Sequence, residues 1–172
     1  MNETPETPAP PAPEPGIEAF KAAFRRHAAG VAAITALTAE GTPVGFTATS
    51  LASLSAMPPL ATFNMSRVST AWPAIGLGNR VVIHTLGPHT ADLAVRMAAD
   101  HAERFAGDHW APGPHGLPVL RGVTAWMIGR IIDVHPVHSN AVVIVEIEQG
   151  RLGPEDEALL YHERTYMRPA EL

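Results

Sequence analysis

Residues 44–72 constrain the fold most strongly, because two strand-length segments there each lead into small hydroxyl residues. Residues 44–50 and 60–65 have the length and composition of β-strands, and the Ala-Met-Pro-Pro sequence at 56–59 predicts a turn before the second. The first segment ends in TATS at 47–50, and the second runs into NMSRVST at 64–70. The sequence therefore predicts two polar blocks at the ends of strands.

The two blocks have the chemistry of a ligand cradle. Small residues let a ligand approach the backbone, and hydroxyls and free amides offer it hydrogen bonds. The second block also predicts the start of a helix, with Ser69 or Thr70 as N-cap and Pro73 in the first turn. A helix N-terminus favours phosphate, and Arg67 would add a full positive charge. A phosphorylated planar ligand is one interpretation, and the alternative is a strand, a turn and an ordinarily capped helix.

Composition excludes several classes of function. A length of 172 residues is that of one domain, and the net charge of −5 comes without a basic stripe, which argues against a nucleic-acid partner. The chain has no cysteine, so disulfides, thiolate zinc sites and thiol catalysis are excluded. No apolar run reaches the roughly 18 residues of a membrane span, and no apolar signal core opens the chain. We therefore expect a cytoplasmic protein without a membrane partner.

The chain divides into an arm and one domain. Residues 1–16, MNETPETPAPPAPEPG, are rich in proline and glutamate and predict a disordered arm. Residues 17–172 form the folded domain. Ile17, Phe20 and Phe24 fall at helical spacing and predict a first helix over residues 17–29, and further helices are predicted over 71–77 and 91–99.

Strand patterns occupy most of the remaining domain. They lie at 31–39, 44–50, 60–65, 80–86, 119–134, 140–147 and 159–167, and Gly129 predicts a bend in the fifth. His84 lies within the fourth strand, and because no second ligand accompanies it we expect a packed histidine. The set predicts a mainly β protein with flanking helices, an antiparallel sheet closed or nearly closed into a small barrel.

This ordered set of segments resembles the flavin reductase family, whose fold is the FMN-binding split barrel. The resemblance is carried by GVAAITALTAEGTPVGFTATSLASLSAMPPLATFNMSRVSTAWPAI at 30–75, RFAGDHW at 104–110, GLPVL at 116–120 and LLYHERTYM at 159–167. It implies an antiparallel Greek-key split β-barrel, a homodimer, and an NAD(P)H:flavin oxidoreductase that uses FMN or FAD. Members of the family commonly supply reduced flavin to a separate flavin-dependent monooxygenase.

The resemblance also implies the site residues. The cofactor-binding residues that border the flavin ring and ribityl chain are Thr47, Ala48, Thr49 and Ser50, and those at its phosphate are Ser66, Arg67, Ser69 and Thr70. His135 and Tyr166 lie on the nicotinamide side. We expect no catalytic acid, base or nucleophile and no metal, because the cofactor supplies the reactivity and the protein positions the two rings.

Residues 135–140, HPVHSN, depart from the family pattern His-x-x-Gly-Asp-His. His138, Ser139 and Asn140 replace the glycine, the aspartate and the second histidine, so bulkier groups without a carboxylate form this turn. Two alternatives stay open for this reason. One is a flavin-binding split barrel without NAD(P)H reductase activity, acting as a carrier, a sensor or in another flavin-dependent reaction. The other is a metal bound by His135 and His138, for which the sequence offers no third ligand.

Overall fold

The computed structural model describes residues 15–171. Most of the predicted arm at 1–16 lies outside the described residues, and Gly16 begins the first helix. The α-helices are α1 (Gly16–Arg26) and α2 (Ala91–Ala98). In chain order the strands are β1 (Ala29–Gly30), β2 (Ala32–Leu37), β3 (Pro43–Ala48), β4 (Ala52–Ala56), β5 (Pro59–Ser66), β6 (Arg80–Thr85), β7 (Trp110–Pro112), β8 (Pro118–Leu120), β9 (Ala125–Val137), β10 (Asn140–Leu152), β11 (Leu160–His162) and β12 (Thr165–Met167).

Seven antiparallel strands form the main sheet, in the order β3-β2-β6-β9-β10-β5-β4. The long hairpin of β9 and β10 lies near its centre, and its register shifts twice, once beside Gly129. A side chain at Gly129 would collide with Val145 and with the carbonyl oxygen of Glu146, so only glycine fits there. This irregularity lies at the position of the predicted bend.

The main sheet separates two hydrophobic cores. The first includes Ile34, Phe63 and Val143, and the second, beneath α2, includes Ala33 and Met97. Neighbouring residues Ala33 and Ile34 face different cores because side chains alternate along a strand.

The sheet curls around the first core. The ring of Phe46 in β3 lies 5.9 Å from that of Phe63 in β5, although four strands separate β3 from β5 in the sheet order. Within residues 15–171 no ladder of hydrogen bonds joins β3 directly to β4 or β5. The predicted mainly β, antiparallel architecture with a few helices is confirmed.

Most predicted elements are present with shifted ends. The strands predicted at 31–39, 44–50, 60–65 and 80–86 correspond to β2, β3, β5 and β6, and the helix predicted at 91–99 corresponds to α2. The strand predicted at 119–134 is divided into β8 and β9, and that at 159–167 is the hairpin of β11 and β12, which joins β1 in a small sheet. β4 was not predicted.

The predicted helix over residues 71–77 is wrong. Only a short 3-10 turn, Trp72–Ala74, occurs there. Pro73 fits such a turn, but Gly76 and Gly78 follow at once, and Gly78 has a φ of 85°. The side-chain amide of Asn79 then donates to the carbonyl oxygen of Ala74 over 3.0 Å and ends the turn.

Helix α1 is shorter than predicted and packs differently. It ends at Arg26, and residues 29–30 pair with β11 instead. Its predicted apolar face is 57–61% exposed at Ile17, Phe20 and Phe24, and no residue of α1 is buried. In the described part of the chain, no helix is both long and apolar enough to cross a membrane.

Candidate functional site

Ser50 joins the two polar blocks. Its hydroxyl accepts a hydrogen bond from the amide of Asn64 over 2.8 Å and donates to the carbonyl oxygen of the same residue over 3.2 Å. β3 has already ended at Ala48, so the side chain of Ser50 makes the two hydrogen bonds to Asn64 that the main chain of a paired strand would otherwise make. The predicted TATS and NMSRVST blocks therefore lie side by side, as the cradle requires.

The TATS block offers main-chain rather than hydroxyl donors. Thr47 uses its hydroxyl to hold α2, donating to the carbonyl oxygen of Ala94 over 2.6 Å. Ala48 is buried and Thr49 is exposed. The amides of Thr49 and Ser50 donate no hydrogen bond to any described residue. These two amides fit a ligand with acceptor atoms on one edge, such as a flavin, whose binding by residues 47–50 stays a prediction.

The second block forms a tight turn rather than a helix start. The hydroxyl of Ser66 accepts from the amide of Val68 over 3.4 Å, and that of Ser69 accepts from the amide of Ala71 over 3.3 Å. Both hydroxyls therefore stabilise the turn locally. The predicted phosphate site therefore does not lie at the N-terminus of an α-helix. The amide of Thr70 nevertheless has no hydrogen-bond partner among residues 15–171.

Arg67 ties the second block to the turn between β9 and β10. Its amide donates to the carbonyl oxygen of Ser139 over 2.8 Å, and its guanidinium donates to that of His138 over 3.1 Å. The guanidinium also lies 5.6 Å from the centre of the Trp72 ring, within the range of a cation–π contact. Arg67 is exposed, so a phosphate can still reach its charge.

His135 lies on the same side of the sheet as the second block. It is opposite Val142, which is opposite Asn64, so the three side chains point to one face. Two strand spacings put His135 about 10 Å from Asn64. Its Nε2 lies 2.9 Å from a carboxylate oxygen of Asp133, which orients an otherwise exposed ring.

The altered turn keeps the backbone shape that glycine would favour. His138 has a φ of 51°, in the left-handed region, at the position where the family pattern has glycine. The substitution therefore changes the side chains at this turn more than its main-chain path. Within residues 15–171 no three histidine, aspartate or glutamate side chains cluster as metal ligands.

Tyr166 lies elsewhere in the single chain. Its ring is 5.2 Å from that of Tyr161, in the hairpin of β11 and β12, and it packs against the second core. Burial raises the pKa of the Tyr166 phenol. No described contact joins Tyr166 to His135, so one chain does not bring the predicted nicotinamide-side pair together.

Sequence reasoning missed Arg104. Its guanidinium donates to the carbonyl oxygen of Gly45 over 2.6 Å and reaches the hydroxyl of Thr70 over 3.5 Å. It borders a cleft of about 460 Å³ between β3 and the loop at 101–106, which Phe105 also lines. The available signal was the RFAGDHW motif, whose first residue is Arg104.

Most of the chain matches one known protein family. The model of the flavin reductase-like domain matches residues 24–170. The chain belongs to this flavin reductase-like family.

Similar proteins agree with this assignment. An NADH:FMN oxidoreductase from Rhodococcus qingshengii is 40% identical, over 99% of this chain and 92% of its own length. The reductase subunit of a flavin-dependent monooxygenase from Mycobacterium tuberculosis is 30% identical over 75% of this chain and 68% of its own. The crystal structure of a flavin reductase domain protein from Arthrobacter sp. FB24 is 49% identical and superposes with a TM-score of 0.86, over 91% of this chain and 97% of that one. The family named from the sequence is confirmed, and with it the expectation of a flavin reductase.

Proposed function

We propose that this flavin reductase-like protein is an NAD(P)H:flavin oxidoreductase that reduces FMN or FAD. The observation that carries the proposal is the pairing of the two polar blocks through Ser50 and Asn64, which leaves the amides of Thr49, Ser50 and Thr70 without partners among the described residues. The name of the 40% identical relative, an NADH:FMN oxidoreductase, supports the same reaction.

The flavin is held by main-chain donors and a polar turn. The amides of Thr49 and Ser50 would donate to the pyrimidine edge, and the small side chain of Ala48 would allow the ring to approach the backbone. Ser66, Ser69 and Thr70 would surround the phosphate, together with the charge of Arg67. When bound, a flavin would supply the acceptor for the hydride of the nicotinamide nucleotide.

The nicotinamide side is built around His135. Asp133 fixes its ring, so the imidazole can position a nicotinamide without the Gly-Asp turn of the family pattern. Arg67 holds the neighbouring turn through the carbonyl oxygens of His138 and Ser139, which limits its movement. These residues position the two rings and transfer no proton themselves.

We further propose the split barrel and a homodimer. The curl that brings Phe46 to Phe63 supports the barrel. Helix α1 presents Ile17, Phe20 and Phe24 to solvent. Because each is a little over half exposed, covering it contributes about 1–2 kcal/mol. A second chain that covers this face can also bring its own Tyr166 toward the nicotinamide side, which a single chain does not.

A separate oxygenase is the proposed consumer of the product. One relative is named as the reductase subunit of a flavin-dependent monooxygenase. We propose that the present protein works in the cytoplasm and releases reduced flavin to such a partner.

Oxidation of NADH and NADPH by the purified protein, with and without FMN or FAD, tests the reaction. We expect oxidation that depends on added flavin. Flavin that stays bound while neither nucleotide is oxidised would favour the alternative of a flavin carrier or sensor, for which the changed turn at His138, Ser139 and Asn140 is the motivating observation.

A further inference from the structure

A cleft of about 330 Å³ lies between the end of α1 and the turn that joins β11 to β12. Helix α1 contributes Lys21 and Arg25, which are four residues apart and therefore lie on one side of the helix. The turn contributes Glu163 and Arg164. The amide of Glu163 donates to the carbonyl oxygen of Arg25 over 3.1 Å, so the helix and the turn are joined beside the cleft.

This cleft has an excess of positive charge. Lys21, Arg25 and Arg164 share it with a single carboxylate, that of Glu163. Neither arginine forms an ion pair with a carboxylate of residues 15–171, and Glu163 forms none with a basic side chain of the same range. Lys21 pairs with the exposed Glu18 over 3.2 Å. Because the whole chain has a net charge of −5, this local excess stands out and favours an anion.

The turn holds both of its charged residues in a strained backbone conformation. Glu163 has a φ of 48° and Arg164 a φ of 68°, both in the left-handed region. A two-residue hairpin turn of this shape favours Asn-Gly or Asp-Gly, because a larger side chain crowds the backbone there. Backbone strain of this kind is concentrated at binding sites. Contact of the two side chains with a ligand gives a reason for charged residues at both positions.

The other groups of the cleft have the chemistry that binds a nucleotide. Phe24 and Tyr161 line it with aromatic rings, and Phe24 is 61% exposed. An aromatic ring stacks on a base, an arginine holds a phosphate through two hydrogen bonds, and a carboxylate accepts hydrogen bonds from ribose hydroxyls. A site for a simple anion would require neither the rings nor the carboxylate of Glu163. The combination therefore favours a nucleotide over inorganic phosphate.

We propose that this cleft binds a nucleoside diphosphate. Arg25 and Arg164 hold the phosphates, Glu163 accepts hydrogen bonds from the ribose, and Phe24 packs against the base. Within one chain the site is separate from the two polar blocks, because β11 and β12 form a sheet of their own with β1. A free nucleotide and the adenosine diphosphate half of NAD(P)H present the same chemistry, so the site does not depend on the proposed function.

Calorimetric titration of the full chain with ADP, without flavin or NAD(P)H, tests the site. We expect Arg25→Gln and Arg164→Gln each to weaken ADP binding about 10-fold, because each variant loses hydrogen bonds between charged partners. Arg26→Gln is the matched control, because Arg26 is the next residue of the same helix and is exposed but does not line the cleft. Its ADP affinity should stay within about twofold of the parent's. A parent that does not bind ADP, or three variants that bind it equally, would overturn the site.

Arg164→Gly separates loss of the ligand from loss of the fold. Glycine adopts the φ of 68° without strain, so the thermal midpoint of this variant should be no lower than that of the parent. Its ADP binding should nevertheless fall about 10-fold, as in Arg164→Gln. Unchanged ADP binding in a folded Arg164→Gly variant would show that the side chain does not contact the nucleotide.

Pyrophosphate, which lacks the base and the ribose, tests the assignment to a nucleotide. The parent should bind ADP more tightly than pyrophosphate, and Glu163→Gln should narrow this difference because it removes the carboxylate that accepts from the ribose. Equal affinity of the parent for ADP and pyrophosphate would leave a general anion site and overturn the nucleotide assignment.

Kinetics distinguish the two sources of the nucleotide. If the cleft holds the adenosine diphosphate half of NADH, ADP competes with NADH, and Arg164→Gly raises the KM for NADH but not that for reduced nicotinamide mononucleotide. If the cleft holds a free nucleotide, ADP binds without competing and the KM for NADH is unchanged in the variant. ADP binding by a protein that oxidises neither NADH nor NADPH would keep the site while the proposed function fails, and NADH oxidation without ADP binding would do the reverse.

Discussion

The ring of His84 accepts a hydrogen bond at Nε2 from the amide of Leu120, 3.0 Å away. Its Nδ1 lies 3.1 Å from the carbonyl oxygen of Ala33, which requires the proton on Nδ1 and a neutral ring. The ring therefore connects three strands, β2, β6 and β8, from a fully buried position. The packed histidine predicted from the sequence is confirmed.

His84 makes the stability of the protein depend on pH. Burial lowers the pKa of His84 to about 4, against 6.5 for an exposed histidine. Between these two values the unfolded chain binds a proton that the folded chain does not, so the free energy of unfolding falls as pH falls through this window. A difference of this size amounts to about 3 kcal/mol by pH 4.

Urea unfolding at several pH values measures this effect. His84→Gln, which does not titrate, should be less stable than the parent at pH 7, and its stability should fall less steeply between pH 6.5 and 4. Carboxylates contribute equally to both proteins and cancel in the difference. Parallel pH curves for parent and variant would contradict the neutral, buried state of His84.

Ser50→Ala should loosen the contact between the two polar blocks. The variant loses both hydrogen bonds to Asn64, and we expect it to cost about 1–2 kcal/mol of stability and to weaken FMN binding severalfold. Ser53→Ala is the matched control, because Ser53 is exposed and its hydroxyl makes no hydrogen bond to a described residue. Thermal unfolding and FMN titration of both variants check this, and equal behaviour of the two would exclude a role for the Ser50 contact.

Replacing Ser69 and Thr70 together should weaken flavin binding through the phosphate. We expect the double alanine variant to lose roughly 1 kcal/mol or more of FMN affinity for each hydroxyl. Riboflavin titration is the control, because the Ser69 hydroxyl also stabilises its own turn. An unchanged FMN affinity would show that the phosphate lies elsewhere.

His135→Ala should separate the two halves of the site. We expect the KM for NADH to rise several-fold while the FMN dissociation constant stays within about twofold, because His135 stands about 10 Å from Asn64. Asp133→Asn, which weakens the contact that orients the ring, should give a smaller change in the same direction. Steady-state kinetics and FMN titration measure both quantities, and an equal loss in both would remove the separate role of His135.

The sequence predicted the parts of the fold that depend on local pattern. Alternating apolar residues and the turns at Gly41 and Pro58 were sufficient to predict strands β2, β3, β5 and β6. The prediction of a helix at 71–77 was wrong because Gly76 and Gly78 follow Pro73 too closely for a second helical turn to form.

Other features depend on contacts between distant residues. The spacing of Phe20 and Phe24 indicates an apolar helix face but not whether another element covers it, so their exposure could not be predicted. The link between Ser50 and Asn64 and the position of Arg104 beside Thr70 arise from strand pairing and loop packing, which residue spacing does not encode. The two polar blocks could therefore be predicted from the sequence, but the contact of Arg104 with the second block could not.

Anaerobic mixing of the protein and FMN with NADH, and with NADH carrying deuterium at the transferred position, tests the proposed hydride transfer. We expect the visible absorbance of FMN to bleach in a single turnover, more slowly with the deuterated nucleotide, and the Ser50→Ala variant to require more FMN for the same rate. FMN that stays oxidised in the presence of the protein and NADH would contradict the reductase assignment.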